Sequence, residues 1–243
     1  MEIIPVRTRL FQLGEALAPF VRAHVPELRP GDVLAVTSKI AALSQGRVLT
    51  PGFDKRRVVR DESEETAETP WCLLARRGGD WSANAGVDES NGDGRLILLP
   101  SAPKASAAAW RRELADAYGV PDLALILTDT RLVPLRRGTM GVALAWAGLE
   151  PIVDYVGRPD LYGRPLKMTQ ANVVHALAAA AVLAMGEGAE RVPLAVLRGF
   201  DVPRRRDAAG DVGDLAVLPT DDLYRFAYAS GTASDPLDKP YAP

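Results

Sequence analysis

Leu123-Ala124-Leu125-Ile126-Leu127-Thr128-Asp129-Thr130 is the stretch on which the fold class turns. Its first half is continuously apolar, the pattern of a strand covered on both faces, and it ends abruptly in polar side chains. The same grammar occurs earlier, where Val33-Leu34-Ala35-Val36 follows the turn residues Pro30-Gly31-Asp32 and gives way to Thr37-Ser38-Lys39. Pro193 to Leu197 makes a last buried strand. Polar groups are therefore expected at strand exits.

Between these runs the period lengthens to that of a helix. Leu10 to His24 places Leu10, Leu13, Leu17 and Val21 at spacings of three and four and closes at Pro26. Ala105 to Tyr118 repeats Ala107, Trp110, Leu114 and Ala117 and stops at Gly119, and an Ala-rich helix is expected from the N-cap Thr169 to Met185, ending at Gly186. Strands and helices mix without a strict βαβ rhythm, and no internal repeat is visible, so the expected class is α/β of the mixed α+β kind, with interleaved helices. Residues 1–203 are expected to form one domain or two interlocked subdomains. The Arg204-Arg205-Arg206 run and the final 231–243 stretch read as surface and tail, making 204–243 an extension.

The composition excludes several classes of function. With 243 residues, 47% hydrophobic and 25% charged, the chain is long enough to bury a substantial core. A net charge of -2 from 29 basic and 31 acidic residues provides no overall field for nucleic acid or anionic lipid. No long uncharged apolar run suggests a membrane span or a leader, so a cytoplasmic protein is expected. The one cysteine, Cys72, and the two histidines, His24 and His175, cannot build a Cys/His zinc site, so any metal must be held mainly by oxygen. Hard cations such as Mg²⁺ or Mn²⁺ suit such ligands. Neither a Walker loop nor a GxGxxG turn is present.

Three oxygen-bearing clusters stand out: Asp88 in the loop Asn84-Ala85-Gly86-Val87-Asp88-Glu89-Ser90-Asn91, the pair Asp129-Thr130 after the buried strand, and Glu187 in Met185-Gly186-Glu187-Gly188. Each lies where backbone irregularity exposes a carboxylate. Taken singly, such residues more often serve local hydrogen bonding than catalysis. Composition alone likewise reads the acidic run Asp61-Glu62-Ser63-Glu64-Glu65 as a solvated helix face, and Gly141 to Leu149 as core.

Taken together, in order and from Pro5 to about Phe200, these segments resemble the coenzyme F420:L-glutamate ligase family. The resemblance rests on Gly31-Asp32-Val33-Leu34, Glu62-Ser63-Glu64-Glu65, Asn84 to Asn91, Thr128-Asp129-Thr130, Gly157-Arg158-Pro159-Asp160-Leu161-Tyr162-Gly163-Arg164, Met185-Gly186-Glu187 and Val196-Leu197-Arg198-Gly199. It implies a gamma-glutamyl ligase-like catalytic domain over residues 1–203 and a GTP-dependent, divalent-metal-dependent reaction. In the reaction that the resemblance implies, L-glutamate would be added to the carboxylate of a deazaflavin coenzyme precursor through an acyl phosphate. A homodimer is implied as well, with the 141–149 segment serving as either interface or core.

By position, Asp88 and Asp129 resemble ligands of one Mg²⁺ or Mn²⁺ ion, and Thr130 and Glu187 ligands of a second. Ser38, Lys39, Asn91 and the segment from Met185 through Gly186, Glu187 and Gly188 to Val192 fall where the family contacts the nucleotide, as do Arg9, Leu10, Phe11 and Gln12. Arg137, Arg158 and Arg164 join Asp88 and Asp129 as the expected catalytic set, because guanidinium forks match phosphate and carboxylate bidentately. Structural salt bridges are the competing role for these arginines.

Three departures cluster at this expected site. Leu43 stands where the family carries a nucleotide-contacting lysine, Arg131-Leu132-Val133 replaces Asn or Phe followed by Gly-Arg, and His175-Ala176 replaces an acidic pair. They leave two alternatives beside the leading one: a ligase of the same mechanism acting on another cofactor or small acid, and a non-catalytic nucleotide- or metal-binding relative.

Overall fold

Strand alternation puts successive side chains on opposite faces, so a run that is apolar at every position needs cover on both sides. A computed structural model describes residues 1–218 and 220–225, and in it the runs around Leu34, Leu125 and Val196 have that double cover. In chain order the elements begin with β1 (Glu2–Val6), α1 (Leu17–His24), β2 (Val33–Thr37), α2 (Ser38–Ser44), β3 (Val48–Leu49) and α3 (Lys55–Asp61). Next come β4 (Glu65–Glu68), β5 (Leu73–Arg77), β6 (Asp80–Ala83), β7 (Leu96–Ile97), α4 (Pro103–Tyr118), β8 (Ala124–Leu132) and β9 (Thr139–Leu149). The last are β10 (Ile152–Asp154), β11 (Gln170–Asn172), α5 (Val173–Met185), β12 (Leu194–Arg198) and β13 (Arg204–Asp211).

Six strands form the main sheet in the order β1-β12-β2-β8-β9-β13, with β2 and β8 parallel and the other neighbours antiparallel. Leu34 and Val36 of β2, Leu125 and Leu127 of β8, and Leu194 and Val196 of β12 face α1 and α4. Their alternates Val33, Ala35, Ala124, Ile126, Ala195 and Leu197 face α5. Each fully buried Leu or Ile in these layers contributes about 1.5–3 kcal/mol of hydrophobic stabilisation. The mixed α/β class expected from the sequence is the one observed.

Gly141 to Leu149, open on sequence between core and interface, is buried within the chain. Gly141 is needed where α5 crosses β9, since a Cβ there would lie 2.6 Å from Val182 Cβ and 2.8 Å from the Ala178 carbonyl. One extra residue bulges this strand. Leu127 pairs with Ala145 but Thr128 with Ala143, leaving Leu144 between them, and Leu144 and Ala145 consequently share a face. The bulge sets the register in which Thr128, Asp129 and Thr130 of β8 pair with Ala143, Val142 and Gly141.

His175, one of the departures, serves the bulge. Its Nδ1 accepts the Ala143 backbone N–H at 3.2 Å, which requires that nitrogen to be unprotonated. Burial, foremost, holds the His175 pKa below its ordinary value, with Asp80 and Arg131 acting in opposite directions. As pH falls, the unfolded chain takes up this proton before the folded one. The stabilising contribution is therefore complete above the unfolded value near 6.5 and is lost as pH falls through it towards the lower folded value. Thermal melts from pH 8 to pH 5 should show a steeper loss for the wild-type chain than for His175→Gln; parallel slopes would remove the assignment.

Several expected boundaries shift. Leu10 to Ala16 is not helical: α1 begins at Leu17, while Leu10 and Leu13 are exposed. Gly14 adopts φ 77° and donates its N–H to the Leu43 carbonyl at 2.9 Å, and the Glu15 carboxylate gathers Arg9 and the Gln12 N–H, so the segment is tied down as a loop. The helix expected from Thr169 begins at Val173, capped by Asn172, whose Oδ1 accepts the His175 N–H at 3.0 Å. Residues 170–172 are claimed instead by pairing with β10.

Glu62 lies past the end of α3, not on a solvated helix face, and meets Arg47 at 2.6 Å and Arg77 at 3.3 Å. The Arg204 run opens β13, the edge strand of the main sheet; residues 231–243 lie outside the described set. A third core of Val58, Val59, Leu73, Ala75, Ala85, Val87, Leu96 and Leu98 sits under the small sheets β3-β7 and β4-β5-β6. No helix among the described residues is long and apolar enough to cross a membrane.

Candidate functional site

The connectivity of the main sheet collects the polar strand ends at one edge. Because β2 and β8 are parallel and Thr37 pairs with Thr128, Ser38-Lys39 at the exit of β2 lie beside Asp129-Thr130, which do not end their strand as expected: β8 outruns β2 and stays paired with β9 as far as Leu132. Ser38 Oγ donates to Asp129 Oδ1 at 3.3 Å. The antiparallel β12 begins at the same edge, where the Thr37 N–H meets the Pro193 carbonyl at 3.0 Å, so the 185–193 segment arrives there too. Val6 of β1 pairs with Leu194, delivering Thr8 to Phe11 beside it. Crevices outside the carboxyl ends of parallel strands are the usual ligand sites of open α/β sheets.

Asp88 reaches this edge from the third core. Asn84 and Ala85 are held at φ 53° and 54°, followed by Gly86 at 71°. Asn tolerates that region, Ala85 is completely buried, and a Cβ on Gly86 would strike Leu99 at 2.6 Å. The Asn84 side chain accepts the Leu73 N–H, the Val87 N–H closes on the Asn84 carbonyl, and Asp88 pairs with Ile97. This left-handed turn aims Asp88 at the strand ends.

Two cavities result. One, of about 300 Å³, is lined by Arg9, Phe11, Ser38, Lys39, Leu43, Asn91 and the 185–193 segment; the other, of about 230 Å³, by Lys55, Ser82, Asn84, Arg131, Leu132 and Thr139. Ser38, Lys39, Asp88, Asp129 and Thr130 line both. Of the residues singled out in the sequence, Arg9, Leu10, Phe11, Ser38, Lys39, Asp88, Asn91, Asp129, Thr130, Met185, Gly186, Glu187 and Gly188 come together around the first cavity. Gln12, next in the same loop, is not part of its lining. Arg137, Arg158 and Arg164 line neither cavity: Arg137 is on an exposed loop, and the other two belong to the turn between β10 and β11, where Arg158 stacks over Tyr155 at 4.9 Å.

The carboxylates at the junction are already engaged by side-chain cations. Lys39 Nζ lies 2.7 Å from Asp88 Oδ2 and donates to Ser90 Oγ at 2.6 Å, while Ser90 returns its N–H and O–H to Asp88. Burial opposes the charge on Asp88, yet the Lys39 and Ser90 hydrogen bonds outweigh it and hold the carboxyl below its ordinary range. Arg131 donates to Asp129 Oδ2, to Asp80 Oδ2 at 3.0 Å and to the Thr130 carbonyl at 2.8 Å. Burial opposes its charge, but Asp129 and Asp80 more than restore it. The Glu187 carboxyl is pushed above its ordinary range by burial and then by the charge of Asp129, with Lys39 and a hydrogen bond from Thr139 acting the other way.

The junction side chains able to ligate a metal are oxygen donors, which is the chemistry of a hard cation. They do not form a ready cage: among the described residues no group of three or more His, Cys, Asp or Glu side chains converges as a metal site. Both Asp129 oxygens are taken, by Ser38 and by an Arg131 that Asp80 and the Thr130 carbonyl also hold; both Asp88 oxygens are engaged too, but by Ser90 and by the single, more exposed ammonium of Lys39, which can turn aside, so the fit is to a cation held by Asp88, Thr130 and Glu187. Asp80, Ser90 and Thr139 are site residues that sequence reasoning missed. The Gly78-Gly79 step between two strand-like runs marks the hairpin carrying Asp80, whereas nothing local marks Ser90 or Thr139.

A family model described as F420-0:Gamma-glutamyl ligase matches residues 51–199. The coenzyme F420:L-glutamate ligase of Methanopyrus kandleri is 33% identical, the match covering 93% of this chain and 97% of that protein. The enzymes of that name from Archaeoglobus fulgidus and Methanothermobacter thermautotrophicus are 34% and 36% identical, covering 83% and 76% of this chain and 89% and 81% of theirs.

Proposed function

This chain belongs to the F420-0:gamma-glutamyl ligase family, and from that premise we propose that it joins L-glutamate to the carboxylate of a coenzyme F420 precursor with GTP as phosphoryl donor. One observation carries the reading: two cavities meet at a shared set of Ser38, Lys39, Asp88, Asp129 and Thr130. A two-substrate phosphoryl transfer needs that arrangement, with donor and acceptor approaching one polar junction from opposite sides. The larger cavity, with Lys39, Arg9 and Asn91 in its wall, suits the nucleotide. The smaller, with Lys55 and Arg131, suits an anionic acceptor.

A carboxylate resists attack by an amine because it is negatively charged and oxide is a poor leaving group. Transfer of the γ-phosphoryl group to the acceptor carboxylate breaks the bond from phosphorus to the bridging oxygen, releases GDP and leaves an acyl phosphate. The glutamate amine then attacks the acyl carbon, phosphate departs, and the amine gives up a proton. Asp88, Thr130 and Glu187 would hold a divalent cation, Mg²⁺ or Mn²⁺, which would supply neutralisation of the phosphate charge. Lys39 contributes positive charge at the junction and keeps Asp88 ionised. Ser38 and Arg131 fix the orientation of Asp129. Assembly as a homodimer belongs to this reading, through a surface other than the buried 141–149 segment.

Incubating the protein with GTP or ATP, Mg²⁺ or Mn²⁺, a panel of amino acids and the deazaflavin acceptor should yield GDP, phosphate and a product heavier by one glutamyl residue. Turnover with a different acid but not with the deazaflavin would move the activity to another acceptor; nucleotide binding without turnover would make this a binding protein. Leu43 tests the nucleotide half separately. It lines the larger cavity, so Leu43→Lys is expected to tighten GTP binding about ten- to hundredfold, the effect of one charge-assisted hydrogen bond. Titration calorimetry showing no gain for Leu43→Lys, together with a marked loss for Lys39→Ala, would assign that charge to Lys39.

A further inference from the structure

We propose that the Arg131 guanidinium occupies one of the cation positions of the junction, so that the protein takes a single divalent cation there and not a pair. The inference rests on the metal- and nucleotide-dependent reading above and sharpens it. Arg131 follows Thr130 on β8 and its side chain is only 10% exposed. It is gripped from three directions, by Asp80 on the β5-β6 hairpin, by Asp129, and by the Thr130 carbonyl. Contacts of that kind immobilise a planar guanidinium, whose fork matches carboxylate oxygens.

The consequence is one of charge and space. Asp129 Oδ2 is in direct contact with a fixed positive group and Oδ1 accepts from Ser38, so a second cation on this carboxylate would displace Arg131 or sit against it. Displacement would strand a largely buried guanidinium beside Asp80 alone. Glu187 is the carboxylate of this group facing no paired side-chain cation, and it lines the nucleotide-sized cavity with Asp88 and Thr130. Asp88 is held by Ser90 and by the single, more exposed ammonium of Lys39, not by a locked fork, so the single ion belongs on the Asp88-Glu187 side, and Arg131 does for the Asp129 side what a second ion would do.

Binding of Mn²⁺ in the presence of a non-hydrolysable GTP analogue, counted by equilibrium dialysis and followed by electron paramagnetic resonance, tests this without recourse to activity. The wild-type chain should hold one Mn²⁺ with an uncoupled six-line spectrum. Arg131→Asn, which frees Asp129 and Asp80, should gain a second Mn²⁺ bound at least tenfold more tightly than any second ion in the wild type, with spin coupling between the two. Arg131→Lys, which keeps the charge, should stay at one. Two coupled ions in the wild-type chain overturn the proposal whatever the variants do, and so does a cooperatively folded Arg131→Asn that still holds one. No Mn²⁺ on any of the proteins would instead remove the metal-dependent reading, and this inference with it.

Discussion

Asp88→Ala is expected to cut glutamate ligation about a hundred- to a thousandfold, the range seen when one preorganised electrostatic contact to a transition state is removed. Asp88 stands at the junction of the two cavities, anchors Lys39 at 2.7 Å and shares the wall of the larger cavity with Glu187. Removing it frees Lys39 to swing away and leaves the phosphate charge without its cation. Stability should change little, by about 1 kcal/mol, because the side chain is partly exposed and its lost partners, Ser90 and Lys39, can turn to water. Steady-state kinetics with a thermal melt separates the two effects. Activity within tenfold of wild type in a normally folded variant would place the chemistry elsewhere.

The second large effect falls on stability, far from the cavities. Asp32 is 1% exposed, and its carboxylate accepts Arg198 Nε at 2.9 Å, Arg198 Nη2 at 2.7 Å and the Arg29 N–H at 2.8 Å. This fork joins the turn before β2 to the end of β12. Asp32→Ala leaves a partly buried guanidinium and a backbone donor unpaired, at a cost of about 3 kcal/mol. For a chain of this size that is roughly 6 to 12 °C in the thermal midpoint. Urea unfolding should show a lower midpoint at unchanged slope, while kcat/KM measured well below the transition stays near wild type. A loss under about 1 kcal/mol would mean the ion pair does not bind the two strands together.

The pairing of Asp32 with Arg198 also shows what the family-like motifs are for. Gly31-Asp32-Val33-Leu34 and Val196-Leu197-Arg198-Gly199 are as distinctive in sequence as the segments carrying Asp88 or Glu187, yet their charged residues meet each other at the opposite end of β2 from Ser38. Glu62 is likewise spent on Arg47 and Arg77, Asn84 on the Leu73 N–H, and Asp160 on a turn that presents Leu161 and Tyr162 to solvent. A distinctive motif marks a physical requirement without saying whether that requirement is chemical or architectural.

The sequence by itself determined the class of fold and its supply of donors. Apolar runs of strand length, helical spacing in Ala105–Tyr118 and turn residues at strand ends are local properties, set by side-chain alternation and backbone sterics, and they placed Ser38 at the exit of β2 and Glu187 past the end of α5, whereas Asp129, expected after its strand, lies inside β8, which pairing with β9 carries on to Leu132. Loop 7–16 misled for the same reason: its leucines have helical spacing, but Gly14 and the Leu43 carbonyl, 29 positions away, hold it against the cavity instead. Tertiary structure alone decided that Arg131 is locked between Asp129, two residues off, and Asp80, 51 residues off, on a separate hairpin. It alone joined Asp32 to Arg198 across 166 residues, and brought Lys39 to Asp88. Strand register sets these pairings, and register is a property of which strands become neighbours, which no window along the chain contains.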